Sequence, residues 1–130
     1  MSAKRLATAA ACAVAAALVP ATAAQASTAP VRGALLLTVT TADGRSDVAY
    51  LECAPDRGTH AHPTAACAAL SQVNGDVAQL PGNPGQLCTL EYAPARATVH
   101  GLWGPRFVRY QQTHPNRCAL AAATGPVFDL

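Results

Sequence analysis

The residues best able to do covalent or coordination chemistry here are five cysteines and four histidines. Cys12 sits in the alanine-rich run near the start, and Cys53, Cys67, Cys88 and Cys118 are spread through the rest. A thiol serves as a nucleophile, a metal ligand or half of a disulfide, and the compartment decides which. Cys53, His60, His62 and Cys67 are the best metal-ligand candidates, but their spacing fits no zinc-finger pattern. Ser46 and Ser71 are not set in G-x-S-x-G or another nucleophile motif. Neither a metal, a cofactor nor an enzymatic centre is therefore expected.

The compartment is read from the N-terminus. Lys4 and Arg5 precede an almost unbroken run of Ala, Val and Leu from Leu6 to Val19. Pro20 ends the run, and Ala24-Gln25-Ala26 places small residues where a signal peptidase reads. The run is shorter than the roughly 20 apolar residues of a spanning helix. Residues 1–26 are thus expected to be a signal peptide and residues 27–130 one exported domain with no further membrane association. Cys12 leaves with the leader. An even set of four cysteines in a small exported chain reads as two disulfides, with three pairings open. Chain order favours Cys53 with Cys67 and Cys88 with Cys118, since each closes a local loop. On the loop-entropy model such bridges contribute roughly 3 and 3.5 to 4 kcal/mol.

Charge excludes another class of partner. Of nine Lys and Arg, Lys4 and Arg5 go with the leader, leaving seven arginines against seven acidic residues. A formally neutral domain lacks the basic face that nucleic acid needs.

The elements that must position these residues follow from pattern. Ala34 to Thr41 reads as a strand, Asp43-Gly44 as a hairpin turn, and Asp47 to Cys53 as the returning strand. Val48, Tyr50 and Glu52 share one face of it, Ala49, Leu51 and Cys53 the other. Ala54 to Pro63 should be loop, with His60 and His62 in it. Thr64 to Val73 has helical spacing in Cys67, Leu70 and Val73, stopped by Asn74-Gly75. Asp76 to Leu80 continues as a short helical turn, and Pro81 to Gly85 breaks regular structure. Arg96 to Trp103 and Phe107 to Thr113 read as strands about a Gly104-Pro105 turn. Asn116 to Ala123 reads as a short helix, and Val127 to Leu130 as a final edge strand. Ser27 to Gly33 reads as a loose leader to the domain. Trp103, Phe107 and Tyr110 read as core or as a contact between copies. The sum is an α+β domain, an antiparallel sheet with one or two helices on it.

These segments carry a resemblance. Leu51-Glu52-Cys53-Ala54-Pro55, Gly58-Thr59-His60, Ala65-Ala66-Cys67-Ala68-Ala69-Leu70 and Asn74-Gly75-Asp76 come first. Cys88-Thr89-Leu90-Glu91-Tyr92-Ala93-Pro94, Thr98-Val99-His100-Gly101-Leu102-Trp103, Asn116-Arg117-Cys118 and Val127-Phe128 follow. In order and spacing the chain resembles the Streptomyces subtilisin inhibitor family. The resemblance implies a five-stranded antiparallel sheet with two helices, a homodimer, and disulfides Cys53 to Cys67 and Cys88 to Cys118. It implies a secreted subtilisin-like serine protease as partner and Leu90-Glu91 as the reactive bond. The binding loop would comprise Gln86, Leu87, Cys88, Thr89, Leu90, Glu91, Tyr92, Ala93 and Pro94. Thr89 stands where relatives often carry Pro, Glu91 where Val is familiar, and Ala93 where Asp is common.

Such a loop makes physical sense. Pro81, Pro84 and Gly85 flank one side and Pro94 the other, with Cys88 two residues before Leu90. An extended segment docks in a protease cleft through main-chain hydrogen bonds, as an added strand would. Leu90 suits the apolar primary pocket of a subtilisin-like or chymotrypsin-like enzyme. It suits a trypsin-like pocket poorly, because the buried acid there would lack its cation.

Overall fold

The computed structural model describes residue 23 and residues 32–130. Ala23 apart, the expected signal peptide and its cleavage point lie outside the described residues, as do residues 27–31 of the loose leader.

Five antiparallel strands form one sheet: β1 (Gly33–Thr41), β2 (Ser46–Cys53), β3 (Arg57–Gly58), β4 (Ala95–Trp103) and β5 (Arg106–His114), in the order β3-β2-β1-β4-β5. Two helices, α1 (Pro63–Gln72) and α2 (Arg117–Thr124), and two 3-10 turns (Val77–Gln79 and Gly125–Phe128) complete it. The five-stranded sheet with two helices is the expected α+β fold.

Period-two patterning makes the sheet two-faced. On the central strand Leu35, Leu37 and Val39 have no solvent exposure, whereas Leu36 between them is 46% exposed. Leu51 and Cys53 of β2, Ala95, Ala97, Val99 and Trp103 of β4 and Val108 of β5 join the same buried face. Ala66, Cys67 and Leu70 of α1, Leu120 of α2, and Val127 and Phe128 close over it. On β4 the inward row Ala95, Ala97, Val99 and Trp103 is interrupted at Gly101. A Cβ there would lie 2.1 Å from the carbonyl oxygen of Ala34, so the inward position opposite β1 must stay empty of side chain.

The stop of α1 is as expected: Asn74 takes φ 52°, and Gly75 N–H donates back to the Leu70 carbonyl at 2.8 Å. Asp76 Oδ1 accepts from Ala78 N–H at 3.2 Å and starts the following 3-10 turn.

Three expectations are corrected. Gly33 belongs to β1, not to the leader. Residues 57–58 pair with β2 as a short strand inside the expected loop. Val127 to Leu130 is no edge strand: Gly125–Phe128 forms a 3-10 turn. Val127 and Phe128 are adjacent yet both buried, which an alternating strand with one covered face does not allow. His60 lies in the loop as expected and is buried there, 4% exposed. Its Nε2 donates to the Val127 carbonyl at 3.0 Å, while Nδ1 accepts from His62 N–H at 2.9 Å. The carbonyl can only accept and the amide only donate, so the neutral Nε2–H tautomer satisfies both nitrogens.

Both disulfides join the pairs favoured by chain order, Cys53 with Cys67 and Cys88 with Cys118. The first ties α1 to β2 beneath the sheet and consumes the thiols a zinc site would need.

Candidate functional site

Leu80 to Pro94 crosses from the first 3-10 turn to β4 without helix or strand. It is held at three places, all provided by the segment from Pro115 to Ala123.

The entry is held by the end of α2. Asn83 N–H donates to the Ala122 carbonyl at 2.6 Å. Gly82 takes φ 64° and packs so tightly that a Cβ would meet the same carbonyl oxygen at 2.4 Å. Asn83 then turns the chain: its Oδ1 accepts from Gly85 N–H at 3.2 Å and its carbonyl from Gln86 N–H at 3.1 Å. The middle is held by the Cys88–Cys118 bridge, Cα to Cα 5.7 Å, from the first turn of α2. The Gln86 side-chain amide lies 3.6 Å from the Cys118 sulfur.

The third hold is the most specific. Asn116 is 8% exposed and precedes α2 as its N-cap, its Oδ1 accepting from Ala119 N–H at 2.8 Å. Its Nδ2 donates outward to two carbonyls of the loop, Thr89 at 3.2 Å and Glu91 at 2.8 Å. Two residues on, Ala93 N–H donates to the Pro115 carbonyl at 2.9 Å. Arg117, next in line, pairs with Asp47 and braces α2 against β2.

These holds fix the backbone and leave the side chains outward. Leu90 is fully exposed, Leu87 96% and Tyr92 80%. Thr89, Glu91 and Ala93 are exposed as well, whereas Cys88 and Pro94 are half-buried. Burying a leucine fully is worth about 1.5–3 kcal/mol. A rigid loop that forgoes this for Leu87 and Leu90 presents apolar side chains to something else. Beside the loop lies a cleft lined by Asp43, Arg45, Asp47, Thr89, Glu91 and Arg117 among others.

All nine residues of the expected binding segment, 86–94, lie on this one loop. Sequence reasoning missed the part of Asn116. Its position before a helix signalled a cap, but the carbonyls it grips lie 25 and 27 residues away.

Comparison with known proteins points the same way. The family model described as subtilisin inhibitor-like matches residues 29–116. A subtilase-type protease inhibitor of Streptomyces fradiae is 41% identical over 103 residues, 73% of this chain and 72% of that protein. Subtilisin inhibitor-like protein 3 of Streptomyces coelicolor is 39% identical over 101 residues, 73% of this chain and 94% of that protein. Among solved structures, Streptomyces caespitosus sermetstatin in complex with Bacillus licheniformis subtilisin superimposes with TM-score 0.63 at 29% identity. That match covers 75% of this chain and 98% of sermetstatin. The chain belongs to the subtilisin inhibitor-like family, whose members are protease inhibitors and not enzymes.

Proposed function

We propose that this protein inhibits a subtilisin-like serine protease, with chymotrypsin-like enzymes as a secondary range, by offering Leu90-Glu91 as a bond that is attacked but not released. One observation carries the reading. Leu90 is fully exposed while the carbonyls on either side of it, Thr89 and Glu91, hang on one buried asparagine.

Leu90 would fill the primary pocket, and residues 86–94 would lie extended along the cleft. When the protease serine attacks the Leu90 carbonyl, the Glu91 amine is the leaving group. The Cys88–Cys118 bridge keeps the acyl side in place. Asn116 on the Glu91 carbonyl and Pro115 on Ala93 N–H keep the amine side in place. The amine stays within reach of the acyl carbon, and the bond re-forms. A loop already held in its bound shape also loses little entropy on docking. Interfaces of this kind bury only roughly 1,600 Å² and can still be very tight. Sermetstatin, solved in complex with a subtilisin, is the structural precedent.

The setting is extracellular. Residues 1–26 would direct export, and no helix among the described residues is long and apolar enough to cross a membrane. The working form would be a homodimer, supported by the exposure of Leu36, Val48, Tyr50, Leu102 and Phe107 on the face of the sheet that the helices do not cover.

Mass spectrometry after brief subtilisin exposure at low pH tests the site. A single nick between Leu90 and Glu91, with both halves still joined by disulfide, is expected. A first cut at any other bond would move the reactive site elsewhere.

A further inference from the structure

His114, the last residue of β5, has no part in the mechanism above. It is 7% exposed, and among the described residues its Nε2 is the one buried side-chain nitrogen or oxygen without a hydrogen-bond partner. Its position is particular. It pairs with Ala95, which directly follows the exit of the loop at Pro94. The next two residues, Pro115 and Asn116, make three hydrogen bonds to the backbone of the loop, at Thr89, Glu91 and Ala93. The outgoing loop and its anchor therefore meet beside this residue.

We propose that His114 is a positioning residue for the loop, and that its protonation loosens the Pro115–Asn116 anchor so that inhibition is strong near neutral pH and fails in acid. The proposal rests on the reading of residues 86–94 as the protease-binding loop.

The physical reason is solvation. A neutral imidazole tolerates an apolar site, whereas an imidazolium carries two N–H donors and a charge that need water or an acceptor. The titratable groups on the surrounding elements are Arg106, Arg109 and Tyr110 of β5, Arg96 and His100 of β4, Arg117 of α2, and Glu91 and Tyr92 of the loop. Arg117 is committed to Asp47, and Glu91 lies exposed on the loop. Burial alone pushes His114 below the ordinary histidine range, with no charged neighbour contributing. A site that cannot hold the proton closed gains it by opening, and the end of β5 with its short Pro115–Asn116 extension is the part that would have to move.

The sign follows from linkage. The opened state has the higher affinity for protons, so the anchor is at full strength above about pH 6.5. It weakens as the pH falls from there toward the lowered value of the closed state. Within that window the opening equilibrium shifts by up to about tenfold per pH unit.

The test uses the ratio of inhibition constants against one subtilisin for the wild type and His114→Phe, measured from pH 8 to 5.5. The protease's own titration cancels in the ratio. We expect a ratio near one at pH 8 and wild-type inhibition weaker by at least about threefold at pH 5.5. His114→Gln, polar but uncharged, should resemble His114→Phe and serves if the latter does not fold. In the free wild-type protein, the amide of Ala93 should lose hydrogen-exchange protection in acid while those of Leu35 and Val99 keep theirs. A flat ratio overturns the proposal, as does a protection loss that is uniform over the sheet. The exchange measurement needs no protease. Absence of inhibition at every pH, with the Ala93 response intact, would count against the function of the loop and not against His114.

Discussion

Asn116 shows how much one buried amide can do. Its oxygen caps α2 and its nitrogen holds the two carbonyls that flank Leu90. The two jobs are separable, because a carboxylate still accepts but no longer donates. Asn116→Asp should keep the cap and hence most of the stability. It should lose two hydrogen bonds to the loop, each worth about 0.5–1.5 kcal/mol, and place negative charge against two carbonyl oxygens. Inhibition is expected to weaken by roughly tenfold to a hundredfold, and the complex to be cut faster. Asn116→Ala should add about 1 kcal/mol of lost stability from the missing cap. Equal inhibition constants for Asn116→Asp and the wild type would show that the disulfide alone holds the loop. The residue scale is also where the sequence was least legible. The cysteines can be picked out by type and spacing, whereas Leu90 is reached only through the family resemblance. The grip of Asn116 and the buried bonds of His60 depend on partners brought close only by the fold.

At the scale of elements, period and punctuation carried far. Leu35, Leu37 and Val39 alternating with polar or exposed neighbours specify β1 and its buried face. Asn74-Gly75 marks the end of α1. The C-terminal segment misled because Val-Phe has high strand propensity, yet it packs mainly on the helices and does not pair along a sheet edge. Two consecutive buried apolar residues there follow from packing against α1 and α2. The bridge from α2 to the loop is the element-scale device on which the proposed inhibition would depend. It closes a 30-residue separation, for which the loop-entropy model gives roughly 3.5 to 4 kcal/mol. Most of the sheet, α1 and the Cys53–Cys67 bridge do not involve it. Replacing Cys88 and Cys118 by alanine together should therefore leave a folded but less stable domain whose loop is digested at Leu90-Glu91 as an ordinary substrate. Circular dichroism would report the fold, and product release over time would report digestion. A double variant that inhibits as strongly and as lastingly as the wild type would show that the bridge contributes stability and not mechanism.

The whole molecule has one unfinished face. Helices and 3-10 turns cover one side of the sheet, whereas the other bears Leu36, Val48, Tyr50, Leu102 and Phe107, all between 40% and 64% exposed. Register brings them together: Leu36 lies opposite Tyr50 on one side and His100 on the other, and Leu102 lies opposite Phe107. A contiguous apolar patch on a sheet face is the kind of surface that pairs with its own copy about a twofold axis. The loop does not compete for it. It enters β4 at Ala95, beside Thr41 of β1 and His114 of β5, while Leu102 and Phe107 sit toward the opposite end of the same strands. A sheet-to-sheet dimer would leave two loops free, each able to take one protease. Leu36→Arg puts a charge at the centre of this face without touching the loop, so it should halve the mass seen by sedimentation equilibrium. Titration should still consume about one protease per chain. A wild type that sediments as a monomer, or a variant that stays dimeric, would rule out this face as the interface. A variant that is monomeric and no longer inhibits would mean that the second copy supports the loop as well as covering the sheet.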